Sequence, residues 1–404
     1  MEKMKSFVAA FLLFIIFSLI VGMACVNQTL ETDHETFRFW YDSNKDMSYD
    51  ALADNMRQST VLLMGSSEFH HGIKSAYHPR NMFAGTDIDV MTIGGAWNQT
   101  LFHTIALGAL EPKLTSRKAV LLISPTWFKR KGVKPEEYAF RFSETEYYNF
   151  MKNDSIPDDI KKYVAKRTET LLRKYPDKAA GVHLINHVLL QKQKSPMSSA
   201  MLRLRYSMVR GKDHAAVEMA LRARKIRENG KRSVKEAGAR PGVPVTGQEW
   251  SKLYDEAVRK SVRHSDNPFF MLDKKWKRKY RKIYRYGKIR FSQRINAGSP
   301  EFDDLKAFLD ICRTRGIETK LIILPVNGRW YDHIGTMKED REETARKIMQ
   351  MAAEHGAEAA DLTQYEYDEF MTRDAVHPWG AGWVMIDEEI YNFCKKEKIG
   401  GTAG

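Results

Sequence analysis

Four short apolar runs, each closed by glycine or proline, constrain this chain more than any other feature. Thr60–Met64 runs into Gly65, Ile88–Ile93 into Gly94-Gly95, Lys118–Ser124 into Pro125, and Lys320–Leu324 into Pro325. Apolar runs this short, bounded by turn residues, have the length and composition of buried strands. Ala357–Leu362 reads as a weaker fifth. The segments between them carry helical signals. Asn98–Leu110 follows the Gly-Gly turn, and Lys338–His355 and Gly382–Lys396 are further helices, the last with Val384, Ile386, Ile390 and Phe393 on its apolar side. Ser299-Pro300-Glu301 supplies an N-cap, a proline at the first helical position and an acid in the first turn. Phe302, Leu305, Leu309 and Cys312 then recur at helical spacing until Gly316. Strands alternating with helices predict an α/β fold, a parallel sheet covered on both faces.

This rhythm lapses between Phe128 and Gly298. The region is helical and strongly charged, and reads as one insertion, 129–298, into an α/β domain spanning 60–404. Residues 27–59 are polar and read as a juxtamembrane stalk with some helix. Phe7–Cys25 carries no charge and follows Lys3 and Lys5; about 19 apolar residues suffice to span the hydrocarbon as a helix. Residues 1–26 are therefore expected to be an uncleaved membrane anchor, although Gly22 and Ala24 resemble a cleavage site and Ala24-Cys25 a poor lipidation site. Positive charge before the span and Glu31, Asp33 and Glu35 after it place the N-terminus in the cytoplasm and the domain outside.

The formal net charge of +14 calls for an anionic partner: nucleic acid, lipid head groups or an acidic polymer. An extracellular domain disfavours nucleic acid. Lys274–Arg294 concentrates the charge, with eleven Lys or Arg, no acid, and Trp276, Tyr280, Tyr284, Tyr286 and Phe291 between them. Such a stretch is either a polyanion-binding surface or an amphipathic helix whose aromatics pack inward. The three cysteines, Cys25, Cys312 and Cys394, show neither metal spacing nor a disulfide framework.

Chemistry is concentrated at two places. Val61–Glu68 ends in Gly65-Ser66-Ser67, where Gly65 permits a tight turn and a serine projects from the C-terminal end of a strand. Asp374-Ala-Val-His377 lies far downstream. A Gly-Ser-Ser turn alone is an ordinary strand end, and Asp-x-x-His alone is a local hydrogen bond. Together, in the order serine, acid, base, they suit a serine acyl-transfer site. His377 would take the serine proton, and Asp374 would hold the imidazole in one tautomer. Backbone N–H groups of Ser67 and of Gly94 or Gly95 are candidate oxyanion donors.

At larger scale the chain resembles the DltD family, the membrane-anchored D-alanyl transfer proteins of teichoic acid D-alanylation, relatives of the SGNH hydrolases. The resemblance rests on Gly65-Ser-Ser-Glu68, Ile123-Ser-Pro-Thr-Trp-Phe128, Pro325-Val-Asn-Gly-Arg-Trp-Tyr-Asp-His-Ile334, Asp374-Ala-Val-His377 and Gly382-Trp383. It implies a three-layer α/β/α, flavodoxin-like fold, with Ser67 as nucleophile and Asp374 and His377 completing the triad. One departure stands out. Ser124-Pro125-Thr126-Trp127 occupies the place of the hydrolases' Gly-x-Asn-Asp block, which removes the usual asparagine oxyanion donor.

The resemblance further implies a reaction without a cofactor. A D-alanyl group, activated in the cytoplasm and delivered through membrane partners, would pass by way of a D-alanyl-Ser67 ester to hydroxyls of lipoteichoic acid. The basic insertion would then face the polymer's phosphates. Asn327, Trp330 and Tyr331 follow a strand's C-terminal end and are candidates for a substrate loop or for packing. Competing readings are an extracellular esterase and a non-catalytic, membrane-tethered polyanion-binding scaffold. A metal centre on Glu68, His70 and His71 is disfavoured, since adjacent histidines on a strand or turn point apart.

Overall fold

Five strands form one parallel sheet in the order β2-β1-β3-β4-β5. They are β1 Val61–Gly65, β2 Val90–Gly94, β3 Lys118–Ile123, β4 Glu318–Ile323 and β5 Glu358–Asp361. The computed structural model describes residues 32–191, 195–230, 243–286 and 298–396, with Leu30, Ile295 and a few positions within 4–16. All five expected strands are present, displaced at their ends by one or two residues.

Strand pleating sends alternate side chains to opposite faces. Leu62, Met64, Met91, Ile93, Leu121 and Leu321 join the core on one face. Val61, Leu63, Val90, Val120, Leu122 and Ile322 join the core on the other. Both faces are covered, so each strand reads as a continuous apolar run instead of an alternating one. The main helices are α1 Thr100–Leu110, α2 Pro135–Arg141, α3 Glu144–Lys152, α4 Asp158–Leu172, α5 Pro196–Gly230, α6 Gly247–Val262, α7 Glu301–Thr314, α8 Gly328–His333, α9 Lys338–Glu354 and α10 Gly380–Lys395. Apolar residues of α1 and α7 fill the first core, and those of α6 and α10 fill the second. The strand order is the flavodoxin-like one, in which the direction of strand addition reverses between β1 and β3 and leaves a crevice at their carboxyl ends.

Between β3 and β4 the described elements are helices, from α2 through the short helix Arg281–Tyr286 to α7. The start of α7 differs from expectation by one residue. Pro300 is its N-cap, while the Ser299 hydroxyl accepts the Glu301 N–H at 3.2 Å.

The segment expected to be a stalk is instead part of the domain. Leu30, Phe37, Trp40 and Leu52 are buried in the first core, and the Arg38 carbonyl accepts the Thr92 N–H at 3.0 Å, covering β2 at the sheet edge. Its charged residues turn inward, against the solvent-facing role that their polarity implies. Arg38 donates to the carbonyls of Ile88 and Phe83, and Lys45 to that of Thr92. Most of Phe7–Cys25 lies outside the described residues, among which no helix is long and apolar enough to cross a membrane.

Candidate active site

β1 ends at Gly65, and the chain turns at once into a 3-10 helix, Ser67–His70. The turn requires a residue without a side chain. A Cβ on Gly65 would lie 2.3 Å from the Glu68 carboxylate and 2.8 Å from the Phe69 ring. Glu68 folds back to accept the Ser66 N–H at 2.5 Å, which locks the turn. The two hydroxyls are thereby sent in different directions. Ser66 Oγ is buried and donates to the Gly95 carbonyl at 3.1 Å. Ser67 Oγ lies 2.9 Å from His377 Nε2.

His377 is held by a closed loop. Thr372 and Pro378 pair across it, the Arg373 N–H donates to the His377 carbonyl at 2.9 Å, and the Trp379 N–H donates to the Met371 carbonyl at 2.9 Å. Asp374 Oδ1 organises the tip, accepting from the N–H groups of Val376 and His377 at 3.2 and 3.1 Å and from His377 Nδ1 at 2.7 Å. A carboxylate only accepts, so Nδ1 carries the imidazole proton and Nε2 is left to accept from Ser67. Burial would raise the Asp374 carboxyl. The His377 hydrogen bond and charge, with the two backbone donors, outweigh burial and hold it well below the usual carboxylate range. Lys275 Nζ stands 3.7 Å from its second oxygen. The His71 ring meets His377 edge-on, with centroids 3.7 Å apart. Burial, then the neighbouring His377, pushes His71 down to about 3, so it stands there neutral.

The remaining expected site residues fall into two groups. The Ser67 N–H opens the 3-10 helix, a position with no intrahelical acceptor. Gly94 is not a free donor: its N–H is bonded to the buried Asp46 carboxylate at 3.1 Å. Burial pushes Asp46 up to about 7, against the lowering effect of adjacent Lys45. Gly95 follows, with the Arg141 guanidinium 2.7 Å from where its Cβ would sit. Asn327, Trp330 and Tyr331 are buried beneath the His377 loop and present no open ligand surface. The Asn327 N–H donates to the Ala375 carbonyl at 2.9 Å, and its amide donates to Phe269 O and Thr372 Oγ1. Trp330 packs edge-on against Phe269 and Tyr280.

Trp276 and Tyr280, from the start of the basic stretch, belong to the same cluster, together with Ala375 of the loop. Two of the five aromatics therefore pack inward as braces for His377. Gly287–Arg294, which includes Phe291, lies outside the described residues. Glu68, His70 and His71 do not converge, and no group of three metal-ligating side chains occurs among the described residues.

Several contributors had no local sequence signal. Arg141 comes from α2 and donates to the Ala96 carbonyl at 2.7 Å. Asp46 acts from a segment read as a stalk. Trp97, 48% exposed, holds a left-handed φ of 71° and stacks edge-on against exposed Phe140 at 5.6 Å. A bulky residue in that conformation is strained, and such strain collects at functional sites.

The family profile described as DltD protein matches residues 36–395. The chain belongs to the DltD family. It is 29% identical over 358 residues to Protein DltD of Bacillus subtilis (strain 168), covering 86% of each chain. It is 26% identical over 315 residues to Protein DltD of Staphylococcus aureus (strain NCTC 8325 / PS 47), covering 76% of this chain and 73% of that one. The Lacticaseibacillus rhamnosus Protein DltD is 23% identical over 349 residues, 85% of this chain and 79% of the relative. The matched span in the family profile includes every residue of the site.

Proposed function

We propose that this DltD-family chain is a membrane-anchored, extracellular serine acyltransferase of SGNH-hydrolase type that passes D-alanyl groups to hydroxyls of lipoteichoic acid. The observation that carries the reading is the run of two short hydrogen bonds, Ser67 Oγ to His377 Nε2 at 2.9 Å and His377 Nδ1 to Asp374 at 2.7 Å, at the carboxyl end of β1. In the first half-reaction His377 Nε2 takes the Ser67 proton as Oγ attacks the acyl carbonyl. The resulting imidazolium is stabilised by Asp374 and returns the proton to the departing donor group. This leaves a D-alanyl-Ser67 ester. In the second, His377 takes the proton of an acceptor hydroxyl, that oxygen attacks the ester, and Ser67 leaves with the proton restored. The Ser67 N–H and the Gly95 turn are the proposed oxyanion donors.

Anchoring through residues 1–26, with the domain outside the cell, belongs to the same proposal. So do lipoteichoic acid, other membrane proteins of the D-alanylation system and the membrane surface as partners. Met197, Met201, Leu204, Met208 and Met219 are all exposed along α5, at spacings that keep them on one side of the helix. An exposed apolar stripe on a cation-rich helix suits a lipid surface.

The test is the D-alanine ester content of teichoic acid in cells carrying single variants. Ser67→Ala should abolish it. Ser66→Ala should be mild, because that hydroxyl is turned away into a structural hydrogen bond. His377→Ala should match Ser67→Ala, and the double variant should be little worse, since residues acting as a unit are non-additive. Normal ester content in a Ser67→Ala strain without a second gene copy would leave only the scaffold reading.

A further inference from the structure

A cavity of about 440 Å³ lies between the segment that follows Ser67 and the segments that flank His377. One wall is the segment that follows the Ser67 turn, including Gly72 and Lys74. The other flanks His377, with Arg373 before it and Trp379 and Trp383 after it. Its volume lies within the range of small-ligand sites. None of the described residues lining it is acidic, whereas Arg373 and Lys74 are cations. Asp374, the carboxylate next to Arg373 in sequence, is turned to His377 and Lys275.

Two buried donors here lack an acceptor among the described residues: Arg373 Nε and the indole Nε1 of Trp383. Both N–H groups can only donate. The two side chains pack against one backbone position. A Cβ on Gly72 would lie 2.9 Å from Arg373 Nη1 and 3.9 Å from Trp383 Nε1, and Gly72 has a φ of +79°. Glycine thus lets the chain pass close against both. Buried polar groups are seldom left unpaired in native proteins, and each such case requires an explanation. Two donor-only groups and a cationic rim, with no carboxylate among the described lining residues, favour anionic oxygen over a cation here. Guanidinium matches the spacing of phosphate oxygens, and a lysine adds a point charge.

We propose that this cavity is the acceptor subsite of the acyltransferase and holds a phosphodiester of the glycerol phosphate chain. Arg373 and Trp383 bind its oxygens, Lys74 stands at its rim, and the Trp379 ring lies against the glycerol carbons. The proposal rests on the acyl-transfer reading for the identity of the acceptor. In such a chain each free hydroxyl is a short span from a phosphate. Fixing the phosphate beside the His377 loop brings the neighbouring hydroxyl to Nε2, a gain in orientation and not in intrinsic reactivity.

The experiment titrates full-length protein in detergent with glycerophosphoglycerol, following tryptophan fluorescence. Free glycerol and phosphatidylglycerol vesicles are the comparison arms. Saturable binding of the phosphodiester, absent with glycerol, is expected. Arg373→Gln should weaken it by about 10- to 100-fold, the range for losing a hydrogen bond to a charged group. Arg373→Lys should fall between, and exposed Lys74→Gln should cost a few-fold. Wild-type affinity in Arg373→Gln, equal affinity for glycerol, or binding to vesicles alone would each overturn the proposal. If a lowered melting temperature shows Arg373→Gln to be misfolded, Lys74→Gln decides, with unchanged affinity counting against the subsite. Arg373-dependent binding together with normal D-alanylation in Ser67→Ala cells would keep the anion site and discard the acyl-transfer reading.

Discussion

Replacing Asp374 by asparagine separates the charge of the site from its shape. The amide oxygen can still accept from the N–H groups of Val376 and His377 and from His377 Nδ1, the three donors on Asp374 Oδ1. Its NH2 would then face Lys275, taking the place of the oxygen 3.7 Å from Nζ. The loop is kept and the negative charge is lost. An imidazolium and a carboxylate with charge centres about 4 Å apart attract by about 4 kcal/mol at an effective dielectric near 20. The side chains of His377 and Asp374 are 16% and 4% exposed. Partial screening at His377 leaves about 2–4 kcal/mol of support for the protonated base. That corresponds to a loss of about 30- to 1000-fold in the transfer rate. The assay is the rate of D-alanyl transfer by full-length protein, with melting temperature as a check on the fold. A loss below about fivefold would refute the electrostatic role given to Asp374.

Two further predictions follow from charges away from the serine. Asp89 is pulled down to about 2: burial opposes this, but hydrogen bonds from His34, Ser59 and Thr60 outweigh it. Its contribution to stability is complete above the unfolded value of 3.8 and is lost as pH falls toward 2. Asp89→Asn should therefore flatten the decline in urea midpoint over that window, and an unchanged slope would refute the linkage. Changing exposed Lys274, Arg278, Lys279 and Lys282 together to glutamine should weaken binding to teichoic acid at low salt and reduce its salt dependence. Unchanged binding would leave the stretch a brace alone.

The sheet was legible because strands buried on both faces must be apolar throughout, and Gly65, Gly94, Pro125 and Pro325 mark where they stop. Edge strand β5 gave a weaker signal because all four of its residues are only half-buried. Ser67 and His377 stand 310 residues apart. Chain order suggested their meeting, but nothing local separates Ser66 from Ser67 as the outward hydroxyl. That choice is made by the Glu68 carboxylate folding back onto the turn. Polarity failed for residues 30–59, since Arg38, Lys45 and Asp46 spend their charges on backbone groups of the core. The Gly94 N–H could not be excluded as an oxyanion donor from sequence, because its acceptor lies 48 residues upstream in that same segment. Asn327, Trp330 and Tyr331 do follow a strand's carboxyl end. They are packed away because Trp276 and Tyr280, from the far end of the helical region, come back to cover them.

The central claim is a covalent acyl group on one of two adjacent serines. Mass spectrometry of the peptide carrying Ser66 and Ser67, from protein isolated at low pH out of membranes active in D-alanylation, tests it most directly. An alanyl ester on Ser67 is expected. It should accumulate when the acceptor polymer is withheld and be absent from Ser67→Ala. Both serines unmodified under those conditions, in membranes that still esterify teichoic acid once the polymer is restored, would contradict the covalent mechanism.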